Sequence, residues 1–231
     1  NHHRVATAFA HSMIRTALTV AATTTFLIAR PNTLTKAMAT TADSKLPTLK
    51  GMVFDMDDTL VKANLDISAM YKEIFGVDPT ENDDILKAIA ALDPQEKERA
   101  NRIVHDMEEK SRKKMTLMPG CTELLNWLSH HKIPSALVTR NTQITANVFM
   151  EKLAASDVSF ERCITRDDNG FPPKPDPTAM KLLAKDTFEC ETSEILMVGD
   201  SIPNDIAFGK NAGTQTALLV EDSESSHDDA A

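Results

Sequence analysis

The sequence is poor in the residues that build nucleotide loops and metal knots. Its 231 residues include only seven glycines, and neither GxxxxGK[ST] nor GxGxxG occurs, so the two common nucleotide-binding loops are absent. The three cysteines, Cys121, Cys163 and Cys190, form no CxxC motif, which predicts buried free thiols rather than a zinc knot or a redox pair. The formal net charge of −9 argues against a nucleic-acid partner, because phosphate backbones are bound by clustered Lys and Arg.

Acidic residues are missing from residues 1–42, a segment rich in Thr, Ala and Ser. Its charged residues are all basic: Arg4, Arg15, Arg30 and Lys36. This composition predicts a disordered transit peptide that directs the protein to a mitochondrion or a chloroplast. A secretory signal is the alternative, because a basic residue precedes an apolar stretch, and a cytoplasmic location is a further one.

Long apolar runs are also lacking. The stretch 17–29 is interrupted by threonines and is too short and polar for a transmembrane helix, so we expect no stable membrane anchor in the mature chain. The tail, 221–231, is acidic and rich in Ser, which predicts a solvated, disordered end. The chain begins with Asn1, and Met13 and Met38 are other candidate start residues.

What the sequence does have is three short apolar runs that each end in polar residues. The run at 52–54 leads into Asp55-Met56-Asp57-Asp58-Thr59, that at 136–138 into Thr139-Arg140-Asn141, and that at 195–198 into Gly199-Asp200-Ser201. Continuous apolar runs suit strands that are buried on both faces of a parallel sheet. Ligands bind at the carboxyl ends of such strands. The pattern therefore predicts one crevice for a divalent cation and a phosphate.

Helical and strand patterns alternate from residue 119 onward, which implies right-handed crossovers and a parallel α/β sheet. Strands are predicted near 51–55, 135–138, 162–165, 195–198 and 216–220, with helices over 121–131, 142–155, 177–187 and 203–211. Residues 62–118 instead read as helical throughout, and Asp93-Pro94-Gln95-Glu96 is typical of a helix start. We expect a catalytic core of 49–61 and 119–220, with the helical insertion 62–118 lying over the carboxyl edge of its sheet.

Asp55 and Asp57 are one residue apart, so in an extended chain their side chains point the same way. Two such carboxylates can divide labour as nucleophile and as general acid and base. Oxygen ligands in modest number suit Mg²⁺, and Asp55 and Asp200 are the best side-chain ligands. Asp205 lies in the first turn of a predicted helix, where capping is as good an explanation as metal binding. The DxDxT pattern alone is also consistent with a polar loop after a strand.

Three further residues are candidates for phosphate binding. Thr139 offers a hydroxyl and a backbone N–H, although a β-branched residue is ordinary in a strand. Arg140 could steer an anionic substrate or lie on the surface. Its neighbour Asn141 is not one of the three and is most simply a helix cap. Lys174, held between a Pro-rich loop and a helix start, could neutralise charge in a transition state; the alternative is a surface lysine.

Four motifs in this order resemble the haloacid dehalogenase superfamily. They are VFDMDDTL from Val53, LVTR from Leu137, KPDP from Lys174 and VGDSIPND from Val198, and the resemblance covers roughly residues 50–220. It implies a Rossmann-like, doubly wound core with a C1-type helical cap, as in phosphoglycolate-phosphatase-like members. Many capped members have Gly where this chain has Asp58, which puts the motion of the cap in question.

The resemblance also implies roles for single residues. Asp55 would be the nucleophile and Asp57 the general acid and base, with Thr139 and Lys174 binding phosphate. The metal ligands would be Asp55, the backbone carbonyl of Asp57, and Asp200, with Asp205 as ligand or orienter. The expected activity is Mg²⁺-dependent hydrolysis of a small phosphorylated metabolite through an aspartyl-phosphate. A sugar-phosphate mutase and a non-catalytic phosphate-binding protein are the alternatives, and the sequence does not predict the oligomeric state.

Overall fold

A parallel sheet organises the larger part of the chain. The computed structural model describes residues 25–29 (backbone only), 49–62, 64–80, 83–154 and 158–220. Its strands are β1 (Thr25–Ala29), β2 (Gly51–Phe54), β3 (Val61–Lys62), β4 (Thr116–Leu117), β5 (Ser135–Val138), β6 (Arg162–Ile164), β7 (Ile195–Gly199) and β8 (Gln215–Val220). Six of them pair in the order β1-β8-β7-β2-β5-β6, every pair parallel, while β3 and β4 form a separate two-stranded sheet. The carboxyl ends of β7, β2 and β5 are therefore neighbours, with β2 in the middle.

Helices follow most of these strands. They are α1 (Ile67–Phe75), α2 (Ile85–Ala90), α3 (Pro94–Lys114), α4 (Cys121–His130), α5 (Gln143–Leu153), α6 (Thr178–Leu182) and α7 (Ala207–Ala212). A π-helical turn, Leu183–Thr187, continues α6, and a second, Ile202–Ile206, leads into α7. The predicted α/β fold with a doubly wound parallel sheet is confirmed. Within the described ranges, no helix combines the length and the apolar character needed to cross a membrane.

The three central strands are buried along their whole length. Every residue of β2, β5 and β7 is buried, because helices cover both faces of the sheet. Val53 and Met197 belong to an apolar cluster together with Met180 of α6 and Phe208 of α7. Continuous apolar runs in the sequence thus correspond to strands that have no solvent-facing side.

Residues 63–116 form a compact unit of their own. It contains α1, α2 and α3, and its core is a separate apolar cluster that includes Met70, Ile74, Ile89 and Val104. The predicted helix start is present: the carboxylate of Asp93 accepts hydrogen bonds from the backbone N–H groups of Gln95 and Glu96, at 2.9 and 3.0 Å. The unit occupies nearly the same residues as the predicted insertion 62–118, whose place over the sheet stays a prediction.

The first strand differs from the sequence-based expectation. β1 lies inside the segment 1–42 that was predicted to be disordered, and it pairs with β8 from Thr25 opposite Thr216 to Ala29 opposite Val220. The sequence TFLIA is rich in residues that favour strands, and β8 offers it an open edge. The rest of 1–42 and the acidic tail, 221–231, lie outside the described residues, so the transit peptide stays a prediction.

Candidate active site

The ammonium group of Lys174 is at the centre of the candidate site. Its Nζ donates to Oδ1 of Asp55 at 2.5 Å, to Oδ1 of Asp205 at 2.6 Å and to the backbone carbonyl of Val138 at 2.8 Å. Its side chain is only 2% exposed, so a cation is held inside the protein with all three of its hydrogens donated. The alternative of a surface lysine is excluded.

The loop before α6 places this lysine. Pro172 and Pro173 precede Lys174, and the Lys174–Pro175 peptide bond is cis. Asp176 accepts a hydrogen bond from the backbone N–H of Thr178 at 2.9 Å, as expected for a residue at a helix start. The Asp176–Thr178 hydrogen bond therefore holds the helical end of the loop, and the carboxylates of Asp55 and Asp205 hold the Lys174 side chain.

Three carboxylates from separate segments meet around the site. Oxygens of Asp55, Asp200 and Asp205 lie within 4.8 Å of one another. Asp55 follows β2, Asp200 follows β7, and Asp205 lies in the π-helical turn before α7. An all-oxygen donor set of this kind suits a hard cation such as Mg²⁺, so the residues present fit the predicted metal. The Asp57 carboxylate is not a member of this cluster.

Burial and mutual repulsion shift the titration of these groups. Burial raises the pKa of Asp55 well above its usual range, with Lys174 opposing the shift and Asp205 adding to it. Partial desolvation, followed by the nearby Asp205 carboxylate, raises the pKa of Asp200 to about 6. Burial works to lower the pKa of Lys174, but the carboxylates of Asp55 and Asp205 outweigh it and the pKa is raised. Lys174 is therefore a permanent cation at neutral pH.

Asp205 serves the local fold and the site at once. Its Oδ2 accepts from the backbone N–H of Ser201 at 3.0 Å, while Oδ1 accepts from Lys174. Gly199 makes room for it, because a Cβ atom on Gly199 would lie 2.4 Å from Cγ of Asp205. Asp205 thus bonds both to the start of its own turn and to Lys174, and its role as a metal ligand stays a prediction.

The structure corrects the prediction for Asn141. The cap of α5 is Thr142, whose side chain accepts from the backbone N–H of Thr145 at 3.3 Å. Asn141 instead donates through Nδ2 to Oδ2 of Asp57 at 2.5 Å. Both residue types are good caps, and the two positions are adjacent, so local sequence could not choose between them. In the structure, Thr142 caps α5 and the Asn141 side chain binds Asp57 instead.

Thr139 and Arg140 lie in the same loop, after β5. The backbone N–H of Thr139 donates to the carbonyl of Ile164 at 2.9 Å, so only the hydroxyl, and not the N–H, is suited to hold a phosphoryl oxygen. This corrects one of the two interactions predicted for Thr139. Nη1 of Arg140, a half-buried residue, donates to Oδ1 of Asn204 at 3.3 Å, and its predicted substrate contact stays a prediction.

Sequence reasoning gave no role to Thr59. Its side chain is buried, and Oγ1 lies 3.5 Å from Oδ1 of Asp200, a carboxylate that is 141 positions away in sequence. The signal was its place at the end of the DxDxT pattern. Asp58, in the same pattern, has φ of +48°, a left-handed conformation that Asp tolerates and Gly prefers. The backbone here keeps a glycine-like geometry without a glycine.

Known proteins share the sequence of this chain over much of its length. A family model described as haloacid dehalogenase-like hydrolase matches residues 52–219. A haloacid dehalogenase-like hydrolase domain-containing protein of Arabidopsis thaliana is 35% identical over 193 residues, which is 80% of this chain and 76% of that protein. The pyrophosphatase PpaX of Bacillus velezensis is 38% identical over 95 residues, covering 41% of this chain and 42% of PpaX.

Solved structures agree on the fold. The crystal structure of a predicted phosphoglycolate phosphatase from Haemophilus somnus superposes with a TM-score of 0.58 at 21% identity, covering 74% of this chain and 85% of that one. The matched family model and the Arabidopsis relative settle the family resemblance seen in the four motifs, and the solved structure shows the same fold. The chain belongs to the haloacid dehalogenase-like hydrolase family and is an enzyme of that hydrolase class.

Proposed function

We propose that this protein is a Mg²⁺-dependent phosphatase that hydrolyses a small organic phosphate monoester through an aspartyl-phosphate. The observation that supports it most is the buried ammonium of Lys174 between the carboxylates of Asp55 and Asp205, within the cluster that Asp200 completes. A fixed cation beside a carboxylate nucleophile offsets the repulsion between that nucleophile and a phosphate. The relatives named as phosphatases and pyrophosphatases point to phosphoryl compounds as the substrate class.

In the first step, a carboxylate oxygen of Asp55 attacks phosphorus, and the bond from phosphorus to the ester oxygen breaks. Asp57, in its protonated form, gives its proton to the leaving oxygen, so that an alcohol departs. The Thr139 hydroxyl would hold a phosphoryl oxygen, and the positive charge of Lys174 beside Asp55 would offset the negative charge that grows on the phosphoryl group. The step leaves a phosphorylated Asp55 and an ionised Asp57.

In the second step, ionised Asp57 takes a proton from water while the water oxygen attacks phosphorus. The bond from phosphorus to the Asp55 oxygen breaks, which frees inorganic phosphate and restores the Asp55 carboxylate. Asp57 is protonated again and ready for the next ester. One acid–base residue thus serves both steps.

Asp55, Asp200 and Asp205 would hold the Mg²⁺ ion, together with the backbone carbonyl of Asp57. When bound, the ion supplies positive charge that screens the phosphoryl oxygens from the surrounding carboxylates. Thr59 hydrogen-bonds to Asp200 and would keep that carboxylate in place.

The test is phosphate release by the full chain with Mg²⁺ from a panel of phosphate monoesters that includes phosphoglycolate, sugar phosphates and nucleoside monophosphates. We expect turnover of at least one ester, and its loss on addition of EDTA and in Asp55→Asn. Asp186→Asn makes the same change on an exposed residue outside the motifs and should retain the activity.

A folded, Mg²⁺-binding protein that releases no phosphate from any ester would contradict the proposal. Transfer of the phosphoryl group to an added sugar without phosphate release would instead favour the mutase. Activity that persists in Asp55→Asn would show that another group is the nucleophile.

A further inference from the structure

Asn141 is fixed at three points in the loop after β5. Its backbone N–H donates to Oγ1 of Thr139 at 3.1 Å, and its carbonyl accepts from the backbone N–H of Arg166 at 2.9 Å. The side chain then donates through Nδ2 to Oδ2 of Asp57 at 2.5 Å. The amide is thus anchored through its own backbone before it reaches the carboxyl group.

The side chain of Asn141 is not needed by the helix that follows it. Thr142 caps α5, with its Oγ1 accepting from the N–H of Thr145. An Asn whose side chain crosses to another strand end, 84 positions earlier in sequence, serves the partner it meets there. That partner is the carboxyl group of Asp57.

We propose that Asn141 is a positioning residue for Asp57 and links the orientation of that carboxyl group to the Thr139 loop. This inference rests on the proposed function, in which Asp57 donates and accepts the proton. A carboxyl group turns easily about its terminal torsion, and a hydrogen bond to one oxygen fixes its plane. Asn141 also contacts Thr139, which would hold the phosphoryl group. Asn141 would therefore keep the distance between the Asp57 carboxyl group and the bound phosphoryl group constant.

The chemistry gives this role a specific signature. Protonation of the leaving oxygen matters most when the departing alkoxide is strongly basic, and hardly at all for a stable phenolate. A misplaced Asp57 therefore slows the release of an alkyl alcohol more than that of p-nitrophenol. A loss of fold or of phosphate binding would slow both equally.

The test measures kcat/KM of Asn141→Ala for p-nitrophenyl phosphate, phenyl phosphate and the best alkyl phosphate of the panel. This ratio reports the steps through the first irreversible one, which is the release of the alcohol. We expect a fall of about 10- to 100-fold for the alkyl ester and less than about threefold for p-nitrophenyl phosphate. Asn141→Asp is nearly isosteric but replaces the Nδ2 donor by an oxygen that repels the Asp57 carboxylate. It should show the same dependence on the leaving group, with a larger loss of kcat/KM.

Thr142→Ala is the matched control, since it removes the neighbouring cap bond and leaves the Asp57 contact intact. It should lower stability without changing the dependence on the leaving group. In the Asp57→Asn background, Asn141→Ala should add little to the loss on the alkyl ester, because the two residues act together.

Equal losses on all three esters, or none, in a folded Asn141→Ala would overturn the inference while the phosphatase proposal stands. Additive losses in the double variant would overturn it as well. A wild-type chain that is inactive on every ester would instead contradict the proposed function, and this inference with it.

Discussion

At the scale of single residues, the site depends on the balance of charge around Lys174. Its ammonium lies between the carboxylates of Asp55, which follows β2, and Asp205, in the π-helical turn after β7, at 2.5 and 2.6 Å. Lys174→Met keeps the volume but leaves these buried carboxylates without their cation. We expect a loss of about 3–5 kcal/mol in the free energy of unfolding, measured in urea at pH 7, and the loss of phosphatase activity.

Lys181→Met is the control for this prediction, since Lys181 lies on α6 and is exposed. It should change the free energy of unfolding by no more than about 0.5 kcal/mol. Equal stabilities for the two variants would show that the buried ion pairs contribute nothing net to the fold.

The raised pKa of Asp200 predicts a pH dependence of metal binding. The folded pKa is about 6, so the carboxylate is protonated below that pH and must lose its proton to bind Mg²⁺. Calorimetric titrations of the full chain should show Mg²⁺ affinity falling by up to about tenfold per pH unit below pH 6, and little change above pH 7.

The raised pKa of Asp200 affects folding stability in the opposite direction: stability falls as the pH rises, whereas Mg²⁺ affinity increases. A folded pKa above the unfolded value means that the folded state binds more protons between roughly pH 4 and 6, so this contribution to stability fades as the pH rises through 6. Asp200→Asn should weaken Mg²⁺ binding at pH 7 and flatten its dependence on pH. An unchanged slope in that variant would assign the titration to another group.

At the scale of elements, β7 and the π-helical turn after it must approach closely. Gly199→Ala would place a Cβ 2.4 Å from Cβ, Cγ and Oδ2 of Asp205, so that side chain must move away from Lys174. We expect a loss of about 1–3 kcal/mol from overpacking, measured by chemical unfolding, together with weaker Mg²⁺ binding.

Gly51→Ala is the matched comparison for the same sheet. Its Cβ would meet the ring of Phe188 at 2.7 Å, at the amino end of β2 and away from the carboxylates. It should lower stability by a similar amount but leave Mg²⁺ affinity unchanged in the folded protein. Weakened binding in both variants would mean that general loosening, and not the position of Asp205, controls the metal site.

Some features of the helices and strands could be predicted from local sequence, and others could not. The buried runs of β2, β5 and β7 were predictable, because a strand covered on both faces is apolar along most of its length. The start of α3 was predictable too, since Asp93 and Pro94 carry their signal within three residues. The partners of Asn141 and the Thr139 N–H were not, because both depend on residues from other strands that no local pattern identifies.

At the scale of the whole molecule, the larger unit and the helical unit 63–116 each have a core of their own. The parallel sheet could be predicted from alternation, but the order of its strands could not. In particular, the strand-favouring sequence TFLIA at 25–29 did not identify β8 as its pairing partner.

This edge position leads to a prediction for the chain that starts at residue 43. The candidate site residues lie between Asp55 and Asp205, and in the sheet β1 is separated from β2 by β8 and β7. Removal of residues 1–42 should therefore leave kcat within about threefold, because the Lys174 ion pairs are untouched. The open edge of β8 should instead increase association between molecules, measured by light scattering on heating.

The Leu27→Pro variant of the full chain distinguishes the effect of losing β1 from the effect of losing the rest of residues 1–42. Proline cannot donate to the strand ladder, so it should reproduce the increased scattering while the N-terminal segment is still present. A large fall in kcat in both proteins would show that β1 supports the catalytic strands across β8 and β7. Equal scattering with and without β1 would show that other features already protect the edge of β8.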